Sequence, residues 1–152
     1  MAWSDLLGHE EIIAAFRRSA AAGRLAGSYL FVGPAGVGKR TFAVELARSL
    51  LCERSSETKL EACGECASCQ QVAAGSHPDL DMVAKPADRS FIPLELLIGD
   101  DEHRMREGFC RNISLKAYSG GRKISILDDA DYLNQEGANC RGFASSATSH
   151  PH

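Results

Sequence analysis

The chain of 152 residues lacks several features that would assign a protein to a class at once. Its formal net charge is −3, so the sequence as a whole offers no electrostatic attraction to nucleic acid. No apolar run is long enough to span a bilayer. The start, Met1-Ala2-Trp3-Ser4-Asp5, contains neither a basic stretch nor the apolar core of a signal peptide. We therefore expect a cytoplasmic protein with no membrane partner, and any DNA contact must come from a local patch or from partner chains.

The sequence also lacks internal repeats and low-complexity segments, and its composition is that of an ordinary globular protein. The length is sufficient for one domain with one hydrophobic core. In a reducing compartment, the six cysteines are better explained as metal ligands or buried small hydrophobes than as disulfides.

Apolar periodicity predicts alternating helices and strands. Helices are expected at 6–22 and 39–52, and a further helix is expected to start at 134–140. Buried strands are expected at 29–32, 80–83 and 123–127. This order predicts an α/β fold, a parallel sheet with helices on both faces.

Two stretches between the second and third strands are harder to interpret. Residues 91–98 are apolar but contain Pro93, so strand and helix both stay open. The acids Asp100, Asp101 and Glu102 predict the start of a helix whose apolar face continues through Phe109.

A glycine-rich segment follows the first predicted strand and precedes a helix. Its sequence is Gly33-Pro34-Ala35-Gly36-Val37-Gly38-Lys39. Such a loop surrounds phosphate oxygens with backbone N–H groups, and its lysine reaches the outer phosphates. The motif then requires a hydroxyl to hold Mg²⁺, but Arg40 occupies that position and Thr41 comes one residue late, about 100° around the helix. We expect weak binding of ATP with Mg²⁺; the alternative is a turn that binds nothing.

An acidic strand end completes the outline of a nucleotide site. Asp128 follows the third predicted strand, where a carboxylate would hold Mg²⁺ through water. Active hydrolases of the AAA+ type place Glu next, to orient the attacking water, whereas this chain has Asp129. A side chain shorter by one methylene withdraws the carboxylate by about 1.5 Å. The alternative is a solvated acidic strand end, with Asp131 capping a helix.

Four cysteines, Cys52, Cys63, Cys66 and Cys69, have the spacing of a metal site. Four thiolates suit tetrahedral Zn²⁺, which would organise a polar insertion that cannot build its own core. Free thiols, a disulfide and an iron–sulfur site remain as alternatives. Cys110 and Cys140 are expected to be buried small hydrophobes.

In combination, these residues resemble the clamp-loader subunits of bacterial DNA polymerase III. The shared segments are Trp3 with Leu7-Gly8-His9-Glu10, 29–34, the four cysteines and 121–131. His77-Pro78-Asp79-Leu80, Gly38-Lys39-Arg40-Thr41 and Asp128-Asp129-Ala130-Asp131 are similar to the delta-prime members rather than to the ATP-hydrolysing gamma/tau members.

The resemblance implies a P-loop AAA+ core at 1–140, with a zinc module inserted at 52–76. It implies a role in DNA replication, in which a loader containing gamma/tau and delta subunits places the sliding clamp on primed DNA. Nucleotide contacts would come from Gly33, Pro34, Gly36, Gly38, Lys39, Arg40, Thr41 and Asp128. No efficient ATPase activity is expected, although the loader belongs to the polymerase holoenzyme, a nucleotidyltransferase.

The family pattern stops at Cys140. Residues 141–152 contain Gly142, Ser145-Ser146 and Pro151 where the resemblance implies an amphipathic helix, so we expect an aberrant or disordered tail. The helical lid and carboxy-terminal assembly domain of the family are expected to be absent.

Two other functions stay open at this point. An active ATPase of the gamma/tau type conflicts with Arg40 and Asp129. A zinc-dependent nucleic-acid-binding module conflicts with the acidic neighbourhood of the cysteines, which holds Glu53, Glu57, Glu61 and Glu65.

Overall fold

The structure, a computed structural model, describes residues 3–119 and 121–139. The predictions for Cys140 and for the tail at 141–152 fall outside the described residues. The chain divides after Leu80 into two compact units. No helix in the described part of the chain has the length and apolar character that crossing a bilayer requires.

The first unit contains three helices, preceded by a 3₁₀ turn at Trp3–Asp5. Helix α1 spans Glu10–Ala21, α2 spans Lys39–Leu51 and α3 spans Ala67–Ala74. Helix α1 begins later than predicted, because Gly8 has φ 84°, outside the helical range. Helix α2 agrees with its prediction, whereas the cysteine-rich insertion was not expected to contain a helix.

The core of the first unit is built from aromatic and aliphatic side chains around Phe42. The rings of Trp3 and Phe31 lie 5.0 and 5.3 Å from that of Phe42, measured between centroids. The buried members are Trp3, Leu6, Ile13, Phe16, Ala20, Phe42, Leu46 and Leu60. Helix α1 directs Ile13 and Phe16 into this core, whereas Ile12 is 49% exposed.

The predicted strand at 29–32 is wrong for this structure. Residues 29–32 have no assigned secondary structure, and Leu30 and Val32 are 59% and 80% exposed. A strand requires a hydrogen-bonded neighbour, and the described residues between 3 and 79 contain no other strand. Apolar composition alone therefore could not place this run in a sheet.

The first strand begins at Leu80, the last residue of the first unit, and the rest of a small parallel sheet and three short helices belong to the second unit. Strand β1 spans Leu80–Val83, β2 spans Ile124–Leu127, and the two are neighbours. Helix α4 spans Leu94–Ile98, α5 spans Phe109–Ile113 and α6 spans Gln135–Ala138. Both strands were predicted, β2 within one residue, and helices with a parallel sheet agree with the α/β expectation.

The segment around Pro93 is a helix start, which resolves its ambiguity. Pro93 lies at the N-cap of α4, a position that needs no helical N–H. Ile92 forms a parallel bridge with Leu133 and, like Leu97, is fully buried. With Phe109 they form the core of this unit.

The acids at 100–102 do not begin a helix, contrary to the prediction. Asp100 instead accepts the backbone N–H of His103 at 2.8 Å, which closes a turn. Helix α5 begins only after Gly108, whose φ is 89° and where a Cβ would lie 2.8 Å from the backbone of Leu97. Glycine is thus required at this close approach, and it sets the start of the helix.

Candidate phosphate loop and metal centre

The glycine-rich loop ends directly at the start of α2, as a phosphate-binding loop must. Gly38 is the N-cap of α2, with φ 97° and ψ 21°, a left-handed conformation that favours glycine. Its carbonyl accepts the first helical hydrogen bond, from the N–H of Phe42 at 2.9 Å. The partial positive charge of the helix N-terminus is therefore directed at the loop.

Lys39 is folded back onto the loop that precedes it. Its Nζ donates to the carbonyl oxygens of Gly33 and Pro34, at 2.6 and 2.9 Å. These carbonyls compensate the ammonium charge within the loop. A phosphate group would have to compete with them for the same lysine, which weakens binding.

The structure places Arg40 and Thr41 on the first turn of α2. Arg40 is exposed and Thr41 is partly buried, so they point in different directions around the helix. No hydroxyl follows Lys39 directly, and guanidinium cannot ligate Mg²⁺ because it carries no acceptor. The loop therefore has the residues to contact phosphate but lacks the usual hydroxyl ligand of the metal.

One contact of this loop was not expected from the sequence. The Nε2 atom of His9, directly before α1, lies 2.8 Å from the carbonyl oxygen of Val37. The same ring packs edge-on against Phe42. His9 thus links α1 to the tip of the loop. In the sequence, the only indication that His9 matters was its place among the residues that carry the family resemblance.

The acidic pair follows β2 in the second unit. The N–H of Asp128 donates to the carbonyl of Val83 at 2.8 Å, so the strand pairing extends to this residue. Asp129 has φ 56°, a left-handed conformation, and its own N–H donates to Oδ1 of Asp128 at 2.9 Å. A carboxylate therefore stands at the strand end as predicted, and the chain turns sharply after it into the 3₁₀ turn Ala130–Tyr132. Asp129, not Asp131, precedes that turn, and its side chain makes no capping bond.

The four predicted ligands converge on one point of the first unit. The sulfur atoms of Cys52, Cys63, Cys66 and Cys69 all lie within 4.8 Å of one another. The distance between Sγ of Cys52 and Sγ of Cys66 is 4.0 Å, and that between Cys63 and Cys69 is also 4.0 Å. Four thiolates at about 2.3 Å from a tetrahedral Zn²⁺ lie about 3.8 Å apart. The four cysteines can therefore hold a metal ion with little movement.

Backbone amides surround these sulfur atoms. The N–H groups of Glu65 and Cys66 donate to Sγ of Cys63, at 3.5 and 3.3 Å. The N–H of Cys69 donates to Sγ of Cys66 at 3.4 Å, where Cys66 is the N-cap of α3. Amide donors stabilise negative charge on sulfur. The insertion at 52–76 that carries the four cysteines, which we call the cysteine module, thus stabilises thiolates, the form in which cysteine binds metal.

The thiol pKa values differ across the site. Hydrogen bonds from Glu65 and Cys66 lower the pKa of Cys63 to about 6. Burial raises the pKa of Cys69 to about 12, so its thiolate requires a nearby positive charge. A bound cation would supply that charge. The described cysteines form no disulfide, and Cys110 is only partly buried rather than fully buried as expected.

Leu60 ties the cysteine module to the core of the first unit. It is fully buried despite its polar surroundings in the sequence, and its carbonyl accepts the indole N–H of Trp3 at 2.8 Å. Its φ is 49°, an uncommon conformation for leucine. Sequence reasoning missed this contact because a single apolar residue in a polar insertion shows no periodicity.

Comparison with known proteins supports the resemblance of these motifs. The family described as "DNA polymerase III, delta subunit" matches residues 8–140. The chain belongs to this family. Its domain is of the AAA+ type, consistent with the helices and small sheet described above.

The relatives include both delta' and tau subunits of DNA polymerase III. DNA polymerase III subunit delta' of Pseudomonas aeruginosa is 41% identical over 112 residues, which are 74% of this chain and 31% of the relative. The subunit delta' of Bacillus subtilis is 31% identical over 116 residues, 76% of this chain and 31% of the relative. DNA polymerase III subunit tau of Escherichia coli is 35% identical over 137 residues, 90% of this chain and 19% of the relative. The matched region thus spans under a third of each relative's length.

Proposed function

We propose that this chain is a delta-prime-like subunit of a DNA polymerase III clamp loader, which acts in DNA replication. In this role it assembles with gamma/tau and delta subunits that load the sliding clamp on primed DNA. The observation that carries the proposal is the altered nucleotide motif within a family match over residues 8–140. Arg40 replaces the Mg²⁺-binding hydroxyl, and Asp129 replaces the water-orienting glutamate.

The proposed role of the phosphate loop is weak or vestigial nucleotide binding. The residues that would contact nucleotide are Gly33, Pro34, Gly36, Gly38, Lys39, Arg40, Thr41 and Asp128. The internal hydrogen bonds of Lys39 to Gly33 and Pro34 compete with phosphate. Without the hydroxyl and the glutamate, hydrolysis would lack both metal placement and an oriented water.

The proposed metal is one structural Zn²⁺ held by Cys52, Cys63, Cys66 and Cys69. Three of the ligands lie within seven residues, and all four sulfur atoms already approach tetrahedral spacing. Four protein ligands leave no open coordination position, so the ion would organise the insertion at 52–76 and take no part in a reaction.

The sharpest test of this role is a graft. Residues 8–139 would replace the matching segment of the Pseudomonas aeruginosa delta-prime subunit, and loading of the sliding clamp on primed DNA would be measured with the other loader subunits. We expect loading close to that of the parent. A parallel graft of the matching segment from Escherichia coli tau is the control, and we expect it to load poorly. A graft of residues 8–139 that unfolds cooperatively, yet loads no clamp, would contradict the proposal.

An ATPase of the gamma/tau type is the second candidate, favoured by the intact glycines and Lys39. Steady-state hydrolysis separates the two functions. We expect turnover far below about 1 s⁻¹, the low end of ordinary enzymes. Turnover at or above that rate would favour the second candidate.

A further inference from the structure

The side chains of Glu53, Ser68 and His77 form a hydrogen-bonded network next to the four cysteines. The hydroxyl of Ser68 lies 3.1 Å from Oε1 of Glu53 and 3.1 Å from Nε2 of His77. Ser68 and His77 are both only 5% exposed. None of the three was singled out as a site residue from the sequence.

The direction of these hydrogen bonds follows from one backbone contact. The N–H of Asp79 donates to Nδ1 of His77 at 3.0 Å, so Nδ1 must be the acceptor. In the neutral ring the proton is then on Nε2, which donates to the hydroxyl oxygen of Ser68. Ser68 is left to donate its own proton to Glu53. Every hydrogen bond of this network therefore has one defined donor and one defined acceptor, which favours a single arrangement of the three side chains.

These hydrogen bonds join segments that carry or adjoin the cysteine ligands. Glu53 directly follows Cys52, the cysteine at the C-cap of α2. Ser68 lies between Cys66 and Cys69 on the first turn of α3. His77 belongs to the turn that leads into β1, where its carbonyl accepts the N–H of Leu80 at 3.2 Å. The three side chains therefore connect segments that are far apart in the sequence.

We propose that Glu53, Ser68 and His77 form a brace that holds Cys52 against Cys66 and Cys69 in the geometry a metal ion requires. The inference rests on the proposed metal function of the cysteines. The brace acts through backbone placement: the three residues are positioning residues, and none of them ligates the metal.

Cys52 is the ligand that depends most on such a brace. Cys63, Cys66 and Cys69 lie within seven residues of one another and are linked by N–H···S bonds. The sulfur of Cys52 also accepts an N–H, that of Cys63 at 3.4 Å, so Cys52 differs from the others in its position along the chain rather than in its amide contacts. Ten residues separate Cys52 from Cys63, the nearest of them, and Cys52 lies at the end of α2. Without the bond between Glu53 and Ser68, the end of α2 loses a side-chain tie to α3, and Cys52 should be the first sulfur to leave the metal.

The test uses the 152-residue chain and the exposed member of the brace. Glu53→Ala removes the acceptor of Ser68 without creating a cavity, because Glu53 is exposed. Glu61→Ala is the matched control: it removes the same charge from an exposed glutamate of the same module. Glu53→Gln is the rescue variant, since its amide oxygen can still accept from Ser68.

Cobalt(II) replaces zinc in each variant, because its absorption spectrum reports how many thiolates surround the ion. We expect the four-thiolate spectrum in the unaltered chain, in Glu61→Ala and in Glu53→Gln. Glu53→Ala should shift toward a spectrum of three thiolates and one water. The chelator concentration that removes the metal from Glu53→Ala should be about tenfold lower than for the unaltered chain. A factor of about tenfold is the smaller of the losses in affinity that follow when groups supporting the metal ligands are removed.

Two results would overturn the inference, and they are distinguishable. If Glu53→Ala matches Glu61→Ala in both spectrum and chelator resistance, the brace does not position Cys52, although the metal assignment stands. If the unaltered chain binds neither cobalt nor zinc, the metal assignment itself fails and the inference fails with it. Ser68→Ala, read in the same way, should reproduce the spectral shift of Glu53→Ala.

Discussion

The cysteine module and the apolar run at 29–32 belong to the same compact unit, but the sequence predicts the structure of the first correctly and that of the second wrongly. The module brings four sulfur atoms within 4.8 Å of one another, as its spacing predicts. The apolar run was predicted to be a buried strand, yet it forms no strand and exposes Leu30 and Val32. The reason is sequence separation. Ligands that are close in sequence meet easily, whereas a strand forms only if a segment far away in the sequence pairs with it.

The largest expected effect comes from removing one ligand of the module. Cys69 is fully buried, and Cys69→Ser replaces its thiolate with a hydroxyl that binds zinc poorly. We expect metal affinity to fall by more than about 100-fold and the insertion to become sensitive to protease.

The control for this change is Cys110→Ser, which alters a cysteine outside the module. It should retain its full metal content. Cys69→Ser protein that keeps its metal and its protease resistance would show that the sulfur cluster is incidental.

The next effect contrasts two leucines, one from each region. Leu60→Ala should lower the free energy of unfolding by about 2–5 kcal/mol, because Leu60 is fully buried and packs in the core. Leu30→Ala should change it by less than about 0.5 kcal/mol, because Leu30 is 59% exposed. Urea denaturation of the two variants measures both values. Equal losses would mean that Leu30 is buried in solution and that the strand exists after all.

A smaller effect is expected from Glu45 on the inner side of α2. Burial raises the pKa of its carboxyl above the usual 4.5, although Arg48, at 3.5 Å, opposes that shift. As the pH rises through 4.5, Glu45 ionises first in the unfolded chain, so the free energy of unfolding should decline until the pH passes the raised folded pKa.

Glu45→Gln should remove that part of the pH dependence, as measured by thermal unfolding between about pH 4 and pH 8. Glu11→Gln, at an exposed position of α1, is the control and should leave it unchanged. A parallel decline in the Glu45→Gln protein would assign the pH dependence to another group.

The smallest effect concerns Mg²⁺ at the phosphate loop. Arg40→Thr supplies the missing hydroxyl directly after Lys39, and one added interaction of about 1 kcal/mol corresponds to about fivefold tighter binding. A fluorescent ATP analogue, titrated with and without Mg²⁺, measures it. Arg40→Ala removes the guanidinium without adding a hydroxyl, so it should show no gain that depends on Mg²⁺. Equal behaviour of the two variants would place the defect elsewhere.

The elements that the sequence predicted well carry local signals. Helix α2 follows a glycine N-cap and has a regular apolar face, and both strands of the small sheet are short segments in which three of four residues are apolar. The cysteine spacing and the acidic end of β2 at Asp128 are likewise local. These signals need only a few neighbouring residues to be effective.

The elements that it predicted poorly depend on distant contacts. The helix expected after Asp100 is delayed to Phe109, because Gly108 packs against the backbone of Leu97. The brace of Glu53, Ser68 and His77 is invisible in the sequence, since it spans 24 positions and its residues have no common spacing. Tertiary contacts of this kind override local preference.

Metal analysis of the purified chain is the decisive experiment for our proposal that a metal ion organises the cysteine module. We predict about one equivalent of zinc per chain, retained through gel filtration and released on treatment with a strong chelator together with unfolding of the insertion at 52–76. Less than about half an equivalent of zinc, with no iron in its place, would show that no structural metal holds the four cysteines together.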